Sequence, residues 1–171
     1  MLDSDYISRR SKELAGNQES YPEVEVIPSE VSSTSPYFTA SIDDISKKIS
    51  IPENYCFEPV FSEMLAHELG HYYMQPEPFV AEIDALGPTS VQGIVYEMEA
   101  IVWAAYRLGY IEPGVTDDIS ALWSMGGSRV FKGDVAAFKK VFREVRTRVA
   151  RKLGERVSPP GFEESLRRLG G

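Results

Sequence analysis

Histidine and cysteine are the scarce residues of this chain, with two of the first and one of the second among 171. The lone cysteine, Cys56, excludes an intramolecular disulfide and fits a reducing compartment. No sequence pattern around it marks a ligand, so it reads as a packing residue. No apolar run approaches the roughly 18 residues that a membrane span needs. The opening MLDSDYISRR carries early acids where a secretory leader would be apolar. The expectation is a cytoplasmic protein with no membrane partner. Internal repeats, phosphate-cradling glycine loops and low-complexity tracts are also lacking. Positive charge is scarce over residues 1–125, which hold 6 Lys or Arg against 21 Asp or Glu.

Against that background the placement of the two histidines stands out. Both fall in His67-Glu68-Leu69-Gly70-His71, an HExxH. In a helix, residues four apart lie about 40° apart around the axis, so both imidazoles can reach one metal ion. Glu68 points toward the same space. Two neutral imidazoles that hold Zn²⁺, with a glutamate that takes a proton from the attacking water, are the working parts of a zinc hydrolase. The surrounding stretch from Glu58 to Tyr73 is apolar at Val60, Phe61, Met64, Leu65, Leu69 and Tyr72, which is the spacing of an amphipathic helix.

A zinc site needs a third protein ligand, and with histidine exhausted this should be a carboxylate. A second apolar helix, Ser90 to Gly109, carries Glu97 and Glu99 on nearly opposite sides. Glu97 shares a stripe with Ile101, Ala104, Ala105 and Leu108, the face expected to be most buried, where a cation would neutralise it. Glu99 shares its side with Val102, Trp103 and Tyr106 and is the alternative.

HELGHYY followed by Glu97-Met98-Glu99-Ala100-Ile101-Val102-Trp103-Ala104-Ala105 resembles the ImmA/IrrE group of gluzincin-like metallopeptidases. That group shows HELGH and then a helix of the form Glu-x-x-Ala-(Asn or Asp)-x-Phe-Ala. The resemblance spans Tyr37 to Leu108 and implies His67, His71 and Glu97 as ligands of one Zn²⁺ ion, with Glu68 as catalytic base. It implies a narrow intracellular protein or peptide substrate, such as a repressor or another regulatory protein. Trp103 stands where the group has Phe. Ile101 stands where it has Asn or Asp, a polar side chain able to orient a ligand.

Elsewhere the chain reads as Ser4 to Ala15 helical, then three short strands at Glu23–Val26, Tyr37–Ile42 and Lys48–Ile51. The stretch Met74 to Pro88, with three prolines, reads as a loop overhanging the cleft. A helix opens near Thr116 or Asp117, and Gly126-Gly127 ends it. Residues 126–171 reverse the charge balance, with 12 basic against 5 acidic residues. Asp134 to Leu153 is a basic helix whose apolar positions read as core, so it is expected to pack on the acidic part rather than bind nucleic acid. Phe162 to Leu169 closes the chain as a short helix.

Together these readings predict one α+β zincin-like domain. A small antiparallel or mixed sheet packs on the HExxH helix and a glutamate-bearing helix. Residues 1–125 form the metallopeptidase core, and 126–171 a basic helical extension. The predicted activity is that of a zinc metalloendopeptidase. The other readings are a catalytically silent, zinc-stabilised interaction protein and a regulator that binds nucleic acid through the basic helix.

Overall fold

The computed structural model describes residues 2–29, 41–43, 48–74, 89–111 and 118–170. It is a mixed α+β structure, mostly helical, with one small sheet. None of the described helices is long and apolar enough to cross a membrane.

Helix α1, Ser4–Ala15, starts where the Asp3 carboxylate accepts from the Tyr6 amide and stops at Gly16. Its last carbonyls, of Glu13 and Leu14, accept from the Arg107 guanidinium. That cation therefore ties α1 to the end of a distant helix, and the left-handed Gly16 lies so close beneath it that a side chain there would collide.

Strand β1, Glu23–Ile27, β2, Ser41–Asp43, and β3, Lys48–Pro52, form a sheet in the order β1-β3-β2. β1 and β3 run parallel, with Val24 opposite Ile49, whereas β2 runs antiparallel to β3. The antiparallel alternative is thus corrected. The longer pairing is the parallel one, because the strand nearest to β1 in sequence sits on the far edge in space. Ile49 and Ile51 are fully buried, and β3 packs beneath the HExxH helix. The expected strand residues 37–40, the Met74 to Pro88 loop beyond Met74 itself, and the caps Thr116 and Asp117 lie outside the described residues.

Helix α2, Val60–Met74, buries Phe61, Leu65, Ala66 and Leu69. Helix α3, Val91–Leu108, is capped by the Ser90 hydroxyl and ends at the left-handed Gly109. It is buried on nearly every side, with α2 against one face and the basic helix against another. This is why its sequence is apolar beyond any single stripe.

The C-terminal part opens with α4, Asp118–Leu122, which continues through a π-helical turn, Trp123–Gly127, into α5, Ser128–Val130. Gly126-Gly127 does not end this helix as the sequence suggested. Both glycines keep helical backbone contacts, and a Cβ on Gly127 would lie 2.7 Å from the Phe138 ring. The glycine is there so that an aromatic ring can approach. After a turn through Lys132 and Gly133, α6, Val135–Leu153, starts at the Asp134 cap and buries Phe138, Phe142, Val145, Val149 and Ala150. Edge-on contacts run from Trp123 through Phe138 and Phe142 to Phe162, the first residue of α7, Phe162–Arg168.

Candidate metal centre

Helices α2 and α3 approach each other closely at Gly70. A Cβ there would sit 2.7 Å from the Ala100 Cα and 2.9 Å from the Trp103 Cβ. The glycine of HELGH therefore lets the two backbones nearly touch, beside His71 and one turn from His67.

Those side chains are His67, His71 and Glu97. His67 Nε2 lies 3.1 Å from Glu97 Oε2, and His71 Nε2 lies 3.5 Å from Glu97 Oε1. One ligand atom from each residue lies within 4.8 Å of the others, so the three could hold a metal ion. Bonds of about 2.0–2.2 Å from a tetrahedral ion put its ligand atoms about 3.3–3.6 Å apart; the two His–Glu97 separations fall near that range, while the three atoms together spread over up to 4.8 Å. The His71 ring stacks on Tyr96, with centroids 3.7 Å apart. Its Nδ1 is buried with no hydrogen-bond partner among the described residues, which leaves Nε2 as the nitrogen turned to the shared point.

Burial pushes the His67 imidazole down, but the hydrogen bond and charge of Glu97, with the charges of Glu68 and Asp118, carry it up to about 9. Burial would raise the Glu97 carboxyl. The charge of His71 and the hydrogen bond from His67 outweigh it and hold the group well below the usual carboxylate range. The same nitrogen and oxygen atoms are the ones a divalent ion would bind.

Glu97, rather than Glu99, faces the histidines, but not because it is the more buried. Its side chain keeps 31% exposure, whereas Glu99 keeps 9% and meets Arg148 of α6 at 2.6 Å. The burial argument from the sequence is therefore reversed. The stripe Glu97, Ile101, Ala104, Ala105 and Leu108 is one wall of a cavity of about 380 Å³, open to solvent. His67 and Glu68 line the same cavity. Glu68 itself is well buried at 7% exposure, so its carboxylate is largely withdrawn from bulk water.

Two further carboxylates reach this space that the sequence did not single out. Glu63, one turn before His67, accepts from the Tyr110 hydroxyl at 2.9 Å. Asp118 arrives from the first turn of α4, and its charge is felt at His67. Nothing local in the sequence marks Asp118, because only the fold brings α4 over the cavity. Of Tyr72, Tyr73, Tyr96, Tyr106 and Tyr110, only Tyr110 lines this cavity. Tyr73 instead donates to the Ser20 carbonyl and stacks on Trp103, Tyr106 donates to the Val157 carbonyl, and Tyr72 meets Tyr73 edge-on. Cys56 is buried against the Pro52 carbonyl, outside the metal group, and burial pushes its thiol up. No family model, curated protein or solved structure matches the chain.

Proposed function

We propose that this protein is a zinc-dependent metallopeptidase, with His67, His71 and Glu97 holding one Zn²⁺ ion and Glu68 acting as general base. The observation that carries the reading is that His67, His71 and Glu97 offer ligand atoms within 4.8 Å of one another, and that His67 and Glu97 share an open cavity with Glu68. When bound, Zn²⁺ supplies a Lewis acid and makes water acidic enough, with a pKa of about 7, for a carboxylate to deprotonate. Glu68 takes that proton and delivers it to the leaving amine nitrogen as the peptide bond breaks. Its burial keeps competing water away from the carboxylate. Asp118 contributes a negative charge toward His67 that Ile101, apolar where the resembling group carries Asn or Asp, cannot.

The test is Glu68→Gln in the zinc-loaded full chain. The amide keeps the shape and loses the base, so hydrolysis should fall about 10²–10⁴-fold with zinc content unchanged. A variant that keeps its zinc and its full activity would remove Glu68 from the chemistry. A parent chain that binds zinc and hydrolyses nothing would instead favour a metal-stabilised interaction protein.

A further inference from the structure

The lining of the metal-site cavity carries information about what enters it. Besides the α3 wall, the cavity is lined by Ala121 and Leu122 of α4 and Met125 of the π-helical turn, and Ile111 and Met64 add further apolar surface. The small side chains Ala104, Ala105 and Ala121 leave the space open rather than filling it. A void of about 150 Å³ holds a benzene ring. At about 380 Å³, this cavity has room for one large apolar side chain together with the adjoining backbone.

Beside His67 and Tyr110, its polar lining is acidic: Glu63, Glu68, Glu97 and Asp118 line it, and among the described residues no Lys or Arg does. The basic residues described in the first 125 are engaged elsewhere. Arg9 lies over Tyr6, Arg10 bonds Ser62 and Glu13, Lys48 pairs with Glu23 and Glu25, and Arg107 holds the end of α1. Lys12 lies on the other side of α1, by a separate groove. A bound dication offsets two of the four charges, so the cavity stays net negative. It sits in a stretch, residues 1–125, that is itself acidic by 15 charges.

Resting on the metallopeptidase reading, we infer that the substrate is a polypeptide segment that places a bulky apolar side chain in this cavity and carries basic, not acidic, residues beside the scissile bond. Apolar walls favour Leu, Met or Phe over Ala or a polar residue, and the ring of carboxylates repels Asp and Glu. Ala121 lines the apolar part and is half-buried on a helix, so Ala121→Leu should narrow the cavity.

The experiment uses the zinc-loaded full chain and a peptide set that varies one apolar position and the charge of its neighbours. Hydrolysis is read by mass spectrometry, and binding to Glu68→Gln by fluorescence anisotropy. Peptides with Leu or Phe should exceed those with Ala by about tenfold or more in kcat/KM. Basic flanks should exceed acidic ones, by a ratio that shrinks as salt is raised. Ala121→Leu should collapse the large-over-small preference, and Asp118→Asn should narrow the basic-over-acidic one. Equal or reversed preferences, with turnover still dependent on zinc and Glu68, overturn the inference and leave the enzyme reading standing. Selective binding to Glu68→Gln without turnover by the parent supports the inference and overturns the enzyme reading. Neither binding nor turnover by any peptide overturns both.

Discussion

At the scale of single residues, the two glutamates of α3 divide the work of the helix. Glu97 turns to the histidines and Glu99 to Arg148. Because Glu99 is buried, Arg148→Ala leaves a carboxylate short of its cation, and denaturant unfolding should register a loss of about 1–3 kcal/mol. Zinc affinity should not change, since Arg148 is on the far side of α3. The pair also marks a limit of sequence reading. Helical periodicity gives the angle at which a side chain leaves the axis, and it grouped Glu97 correctly with Ile101, Ala104, Ala105 and Leu108. It does not give depth: Ile101, Ala104 and Ala105 are buried as that grouping implies, but Glu97 on the same stripe keeps part of its surface at the cavity. The HExxH residues were legible because their spacing is itself the chemistry. Asp118 was not, because its role depends on the approach of a helix distant in sequence.

At the scale of elements, the metal site depends on how closely α2 and α3 lie. Gly70→Ala pushes a methyl group into the Ala100 backbone and must part the helices. The expected result is a loss of about 1–3 kcal/mol in denaturant unfolding, together with at least tenfold weaker zinc binding in a chelator competition titration. An unchanged zinc affinity would detach the site from the helix contact. Gly127 invites the same argument at α4–α6. Gly127→Ala meets Phe138, and a double-mutant cycle with Phe138→Leu should recover part of the lost stability. Helix ends were largely legible, because Asp134, Gly109 and Gly16 act as caps and stops by local chemistry. Gly126-Gly127 misled because a glycine kept for close approach looks the same in sequence as one that ends a helix. Strand pairing was legible only as a choice of arrangements, since alternation in β1 and β3 says nothing about which partner each strand finds.

At the scale of the whole molecule, α6 carries much of the chain's basic surface and sets its apolar stripe into the core beside α3. The basic part thus braces the helix that supplies Glu97. On the proposed reading zinc binds the folded chain alone, so zinc at about 100 times its Kd should add about 2.7 kcal/mol. For a chain of 171 residues this raises Tm by about 5–10 °C. A chelator should reverse the shift, and His71→Ala should abolish it. A parent chain whose Tm ignores zinc would contradict that reading.

The most direct measurement of the central claim is zinc stoichiometry, determined by metal analysis of the purified parent chain and of Glu68→Gln, Glu97→Gln and Glu99→Gln. The expected result is one equivalent of zinc in the parent, in Glu68→Gln and in Glu99→Gln, and its loss from Glu97→Gln. Zinc retained by Glu97→Gln and lost from Glu99→Gln would contradict it.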